Sequence, residues 1–329
     1  EIFTMKKLLN IFVVSFALVF SSNLFANKIG VIYDSGGKFD KSFNELAFKT
    51  AERVKNELGW DMVEFEASNN TQIEQGMRKV ADRGATLVVA MGFAQADAVA
   101  AVAPDYPDIN FVAVDVCWLD DPAGNIHQAC YKEHEGSFLV GMMAAMASES
   151  GTIGFVGGMD IPLIRKFQGG YEQGAQYVNP DIQVIANMTG TTPEAWNNPT
   201  KGAELTKAQI DGGADVVYQA AGGTGIGVLQ AAADAGIMGI GVDTNQNWMH
   251  PGNMLTSMLK RLDLQIFQQA EKTAAGTFEP EIVVYGLAEG MLGYATEDGM
   301  VTDEMIAATD AAVAAMADGS LEVADWSQE

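Results

Sequence analysis

The sequence is short of basic residues. It contains 43 Asp and Glu but only 19 Lys and Arg in 329 residues, which gives a formal net charge of −24 at pH 7. A nucleic-acid-binding face needs clustered Lys and Arg to neutralise phosphates. The acidic balance therefore argues against binding to DNA, RNA or an anionic lipid surface, and the excess of negative charge favours solubility.

Histidine and cysteine are also scarce, with three and two residues respectively. His127, His134 and His250 are scattered and lack the spacing of a metal site or a catalytic triad. We therefore predict no metal site and no cofactor. Cys117 and Cys130 end two successive strand-like patterns, so we predict a disulfide between them in an oxidising compartment; two buried free thiols are the alternative.

Long apolar runs are absent after the first part of the chain. Lys6 and Lys7 precede an apolar run from Leu8 to Phe20, and small and polar residues follow up to Ala26. This order is typical of a secretory signal peptide, and the run is short for a membrane span. We predict that residues 1–26 are a signal peptide cleaved near Ala26, and that the mature protein is periplasmic.

Strand-like and helix-like segments alternate through the rest of the chain. The first series begins with a strand at Lys28–Asp34 and a helix at Ser42–Leu58, and it ends with a strand near Ile126–Tyr131. A second series begins with a helix at Glu135–Ser148 and ends with a strand at Met238–Asp243. Such alternation indicates βαβ units around a parallel sheet. We predict an α/β fold of two doubly wound parallel-sheet lobes.

The pattern changes after residue 243, and the remaining segment is too short for a third domain. It must be shared between the lobes, which implies several chain crossings that form a multi-strand hinge. We assign residues 27–131 plus 258–279 to the first lobe and residues 132–257 plus 280–329 to the second. The ligand cleft is expected between the lobes.

Polar and aromatic residues follow the predicted strands at their carboxyl ends, where open parallel sheets bind ligands. Carboxylates accept hydrogen bonds from sugar hydroxyls, and aromatic faces stack on flat rings. The few cations do not suit a phosphorylated ligand. The set therefore suits a neutral ligand with hydroxyls and a flat ring. The candidate ligand-binding residues are Asp34, Phe43, Asn44, Phe93, Asp115, Trp196, Gly222, Asp243 and Lys260.

The segment Asp34-Ser-Gly-Gly-Lys-Phe-Asp-Lys-Ser-Phe-Asn44 resembles the opening motif of the basic membrane protein family of substrate-binding proteins, which includes purine-nucleoside receptors of ABC transporters. Similar motifs continue in order through nearly the whole mature chain. They are Gly92-Phe93, Val114-Asp115, Gly154–Gly158, Asp215–Gly225, Ile240–Asp243 and Leu255–Lys260.

We predict a fold of the type I periplasmic binding class and a monomer. The resemblance implies capture of guanosine, inosine or adenosine by lobe closure for a membrane ABC permease. It implies that Phe43 stacks on the purine. Asn44 and Asp115 would hydrogen-bond the edge of the base. Asp243 and Lys260 would hold the ribose hydroxyls.

Two further roles follow from the same resemblance. Trp196 or Phe93 would cover the second face of the base, and Asp34 would contact the ligand or brace its own loop. Independently of the resemblance, Gly222 follows a predicted strand and precedes a tight, glycine-rich helix start whose backbone amides can face the cleft.

Other functions are considered alongside this one. The ligand could be a free purine base, a sugar or another small solute, and a cleft enzyme such as a nucleoside hydrolase is a second alternative. Gly223-Thr-Gly-Ile-Gly227 partly matches a dinucleotide-binding fingerprint, but its spacing is compressed. Because no nucleophile–base pair stands out, we predict a binding protein and not an enzyme.

Overall fold

The computed structural model describes residues 26–67 and 69–328. The predicted signal peptide lies outside these residues, apart from Ala26. Within the described part of the chain, no helix is both long and apolar enough to cross a membrane.

The strands form two separate six-stranded sheets. In chain order they are β1 (Lys28–Tyr33), β2 (Asp61–Glu66), β3 (Leu87–Met91), β4 (Asn110–Val114), β5 (Ile126–Tyr131), β6 (Thr152–Met159), β7 (Gln183–Gly190), β8 (Val216–Ala220), β9 (Met238–Asp243), β10 (Met254–Lys260), β11 (Ile282–Tyr285) and β12 (Leu292–Tyr294). The first sheet has the order β11-β5-β4-β3-β1-β2, and the second has the order β12-β10-β9-β8-β6-β7. Adjacent strands are parallel except for the β10–β12 pair.

Helices cover both faces of each sheet. They are α1 (Phe43–Leu58), α2 (Ile73–Asp82), α3 (Ala96–Val102), α4 (Glu133–Ala147), α5 (Pro162–Val178), α6 (Pro199–Asp211), α7 (Thr224–Asp234), α8 (Leu262–Ala275) and α9 (Asp303–Ala317). In β1, Val31 packs in the core shared with α1, while the next residue, Ile32, packs in the core shared with α2 and α3. A strand that is apolar on both faces needs helices on both sides, which explains the doubly wound arrangement predicted from the sequence.

Helices α4 and α5 approach each other unusually closely because glycines line their contact. A Cβ added to Gly141 of α4 would lie 2.2 Å from the Tyr171 carbonyl oxygen, and one added to Gly174 of α5 would clash with the Phe138 backbone. Any larger residue would push the helices apart. The close approach fixes the position of Lys166 on α5 relative to the start of α4.

The lobe boundaries near the C-terminus differ from the sequence prediction. Residues 258–260, expected in the first lobe, complete β10 in the second sheet, and residues 282–285, expected in the second lobe, form β11 in the first sheet. Strand β10 stays parallel to β9 until it ends at Lys260, so the chain changes lobes only after that residue. It then returns to the second sheet after β11.

Cys117 and Cys130 form a disulfide with a Cα–Cα distance of 6.0 Å. Cys130 lies in β5, and Cys117 lies in the connection that leads from β4 to β5. The bond therefore ties this connection to the sheet next to the carboxyl end of β4.

A candidate ligand-binding cleft

The carboxyl ends of the two sheets face each other across a cleft whose empty space, including space open to solvent, is about 550 Å³. A cleft between two lobes is a common position for a small-molecule site. Eight of the nine residues predicted from the sequence line it, namely Asp34, Phe43, Phe93, Asp115, Trp196, Gly222, Asp243 and Lys260. The ninth, Asn44, does not.

Asn44 instead braces the loop that follows β1. Its amide nitrogen donates to the Asp34 carboxylate at 2.5 Å and to the Gly37 carbonyl at 3.2 Å, and its amide oxygen accepts from the Asp34 backbone N–H at 3.1 Å. Because the residue is fully buried and makes these bonds, the hydrogen-bonding atoms of the amide are used within the loop. This arrangement argues against the predicted role of Asn44 as a partner of the base edge. Burial raises the pKa of Asp34, while the hydrogen bonds from the Asn44 amide and the Gly36 backbone N–H lower it.

Asp115 and Asp243 occupy equivalent positions in the two lobes. Each stands at the carboxyl end of the fourth strand of its lobe in chain order, and each has a left-handed backbone, with φ of 62° and 66° respectively. This conformation is uncommon outside glycine, although Asp tolerates it better than most residues. Strain of this kind concentrates at functional sites. The backbone turn aims one carboxylate from each lobe into the cleft.

Lys260 is the one Lys or Arg among the described residues that line this cavity. Its ammonium lies 2.6 Å from a carboxylate oxygen of Asp115 and 2.9 Å from one of Glu133, and the residue is 1% exposed. Burial alone would lower the pKa of Lys260, but Asp115, Glu133 and Asp243 together raise it, so the amine stays protonated. Burial raises the pKa of Asp115 to about 6, despite the opposing charge of Lys260.

Glu133 is not among the residues that the sequence predicts for the site. It is fully buried and does not line this cavity, but it lines the neighbouring cavity, which shares Phe93, Asp115 and Leu163 with the cleft. Its ion pair with Lys260 joins the start of α4 to the end of β10, a contact that the spacing of 127 residues gives no means of foreseeing. Lys260 thus pairs directly with Asp115 and Glu133.

Asp243 makes a hydrogen bond across the cleft. The Ser42 hydroxyl, at the start of α1 in the first lobe, donates to its carboxylate at 2.5 Å, and the Gln246 amide donates to the Lys41 carbonyl at 2.9 Å. Burial raises the pKa of Asp243, while Lys260 and Ser42 oppose the rise. The two lobes are therefore in direct contact around the cleft.

The start of α1 is fixed by Asp40, which also lines the cavity. Its carboxylate accepts backbone N–H bonds from Ser42, Asn44 and Glu45 at 2.9, 3.0 and 3.1 Å. These are N–H groups of the first helical turn that would otherwise lack partners. The cap holds Phe43 at the cleft.

Aromatic side chains form the walls of the cleft. Phe43 and Phe93 belong to the first lobe, and Trp196 and Phe167 to the second. The Trp196 ring lies so close to Gly158 that an added Cβ would be 2.1 Å from it. Phe167 was not predicted, because an apolar residue at helical spacing in α5 is indistinguishable in sequence from one that packs in the core.

No group of three or more His, Cys, Asp or Glu side chains in residues 26–67 and 69–328 is arranged to hold a metal ion.

Comparisons with known proteins agree with this architecture. "Basic membrane protein A2" of Borrelia garinii is 32% identical over 285 residues, covering 84% of this chain and 82% of the relative. The "ABC transporter nucleoside-binding protein BmpA" of Lactococcus lactis is 31% identical over 286 residues, covering 80% of each. A crystal structure of an ABC transporter solute-binding protein from Aeropyrum pernix has a TM-score of 0.75 and 30% identity, covering 90% of this chain and 81% of that one.

The predicted fold class, two doubly wound α/β lobes of the periplasmic binding type, is confirmed by this structural likeness. The family described as "ABC transporter substrate-binding protein PnrA-like" matches residues 26–319. On these grounds the chain belongs to the PnrA-like family of ABC transporter substrate-binding proteins, whose function requires a small-molecule ligand and a membrane transporter.

Proposed function

We propose that this protein captures purine nucleosides, such as guanosine, inosine and adenosine, and delivers them as a monomer to a membrane ABC permease. The observation that carries the proposal is a cleft with aromatic walls that is lined by Asp115 and Asp243, which stand at equivalent strand ends of the two lobes. The nucleoside-binding relative from Lactococcus lactis supports the same ligand class.

The proposed ligand uses both kinds of surface. A purine ring between Phe43 and an aromatic side chain of the facing wall would gain stacking energy of about 1–3 kcal/mol. Asp115 would accept hydrogen bonds from the base edge, and Asp243 from the ribose hydroxyls. The cleft also contains Asp34 and Asp40, so a phosphate group would meet several carboxyl groups and an ammonium that is already paired. A neutral nucleoside avoids that cost.

Titration calorimetry with the mature protein tests the ligand. We expect binding of guanosine, inosine and adenosine, weaker binding of the matching free bases, and no binding of the nucleoside monophosphates. The free base lacks the ribose hydroxyls that would donate hydrogen bonds to Asp243. Because these bonds to a charged acceptor are lost, the free base should bind more weakly.

Two outcomes would contradict this assignment. Equal affinity for guanine and guanosine would point to a base-binding protein, and the absence of binding to any nucleoside would refute the proposal. Because a ligand that binds only the folded state raises the melting temperature, a thermal-shift screen of bases and sugars under the same conditions would then identify the ligand class.

The proposal includes export to the periplasm, based on the predicted signal peptide. We expect intact-mass measurement of the protein from its native host to give a mature N-terminus at or near Asn27. Recovery of the mature protein with residues 8–20 still attached would contradict export with cleavage.

A further inference from the structure

A row of alternating charges runs from the cleft into the hinge. Asp115 lies 2.6 Å from Lys260, Lys260 lies 2.9 Å from Glu133, and Glu133 lies 3.6 Å from Lys166. All four side chains are largely shielded, with Lys166 the most exposed at 17%. Two carboxylates therefore alternate with two cations, and Lys166 at the end of the row also lies 3.8 Å from the Asp325 carboxylate.

Glu133 occupies the centre of this row, behind the cleft-lining Lys260 and Asp115, and it lines the neighbouring cavity together with Lys166. It is the first residue of α4, directly after the chain passes from the first sheet toward the second. The glycine-lined contact between α4 and α5 brings Lys166 to its far side. Its carboxylate accepts from no neutral donor in the described structure, so the two ammonium groups are its compensation.

The row determines which oxygens of the Asp115 carboxylate are available to a ligand. Lys260 donates to one oxygen of Asp115, Oδ1. Without Glu133, the Lys260 ammonium would be drawn further onto Asp115, its nearest carboxylate. The pull would be strong, because an ion pair in a buried site is stronger than one in water. The opposing attraction of Glu133 holds the ammonium at the hinge side of Asp115.

We propose that Glu133 is a positioning residue for ligand binding: it holds Lys260 at one oxygen of Asp115 and so leaves the other oxygen to accept a hydrogen bond from the ligand. This inference rests on the proposed nucleoside function. It assigns Glu133 a role in affinity that acts through Lys260 and Asp115.

The test is Glu133→Gln, which keeps the shape of the side chain and removes its charge. We expect guanosine to bind about tenfold more weakly near neutral pH, as when a hydrogen bond to a charged group is impaired.

The pH dependence of guanosine binding should change as well. The groups that face Asp115 are Lys260, Glu133, Asp243 and Tyr131.

Burial is the largest cause of the raised pKa of Asp115, and the charge of Glu133 raises it further. Its neutralisation should therefore lower that pKa, and the loss of guanosine affinity in acid should move to lower pH. A merely structural role would weaken binding without moving this midpoint.

Glu57→Gln is the matched control, because it makes the same change in an exposed ion pair with Arg53 on α1. It should alter neither the affinity nor the midpoint. If Glu133→Gln does not fold, Glu133→Asp keeps the charge but withdraws it by one methylene, and a smaller shift in the same direction is expected. An unchanged midpoint in the variant that folds would overturn the proposal.

A carboxylate NMR titration of Asp115 in the ligand-free protein separates this inference from the proposed function. If wild-type protein binds no nucleoside, the proposed function fails, but the Asp115 titration still shows whether Glu133 controls that group. If nucleosides bind and the Asp115 titration is the same in both proteins, the positioning role fails alone.

Discussion

Replacing Lys260 with methionine is expected to lower the free energy of unfolding by about 3–5 kcal/mol near neutral pH, because the loss of one partner leaves buried charges uncompensated. Lys260 is in contact with both Asp115 and Glu133, and the methionine has a similar volume but no charge. Urea denaturation of the ligand-free proteins measures the effect. The same variant should lose nucleoside binding.

The defect should depend on pH in a defined direction. The pKa of Asp115 is already raised to about 6 by burial, and removal of Lys260 should raise it further. A carboxyl group with a higher pKa in the folded state than in the unfolded state binds protons preferentially when folded, so stability falls as pH rises through that window. The variant should therefore be closer to wild type in mildly acidic buffer than at neutral pH.

Lys272→Met is the matched control for this experiment. Lys272 pairs with Glu279 at 2.8 Å on the surface, and surface pairs contribute about 0–1 kcal/mol. Equal destabilisation by the two substitutions would show that the buried pairs at Lys260 have no special weight.

Replacing Asp243 with asparagine is expected to weaken guanosine binding about 10- to 150-fold, which corresponds to about 1.5–3 kcal/mol for a hydrogen bond to a charged group. Asparagine is preferable to alanine here, because the backbone φ of 66° is one that Asn adopts readily. Titration calorimetry should show that the substitution reduces the affinity for 2′-deoxyguanosine by a smaller factor. The deoxynucleoside already lacks one of the hydroxyls that are proposed to donate to Asp243.

Asp298→Asn provides the control, because Asp298 has a similar φ of 57° but lies in an exposed turn. It should bind both nucleosides as wild type does. The ribose role of Asp243 would be refuted if Asp243→Asn bound guanosine normally or lost equal affinity for the two nucleosides.

The regular part of the fold could be predicted because its signals are local. The apolar residues of α1 have helical spacing, and the predicted helix at Ser42–Leu58 differs from the observed Phe43–Leu58 by one residue. The residues at strand ends were also accessible, since parallel strands bring their carboxyl ends to one edge. This topological rule placed Asp115 and Asp243 at the cleft edge.

The remaining features depend on distant contacts. The ion pair of Glu133 with Lys260 joins residues far apart in sequence, and the engagement of Asn44 by Asp34 depends on the shape of one loop. The boundary at β10 was misplaced because nothing in the sequence marks where an apolar strand stops pairing with its neighbour. Such details follow from packing and not from periodicity.

The contacts of Ser42 with Asp243 and of Gln246 with Lys41 have a consequence for the timing of binding. They are made between protein atoms of opposite lobes, so they favour closure whether or not a ligand is present. Under capture by lobe closure, a solute would enter only molecules that are open at that moment, and the apparent affinity would be reduced in proportion to the open fraction. At high solute concentration the observed association rate would then level off at the rate of opening, and the same contacts would prolong the residence of a captured molecule.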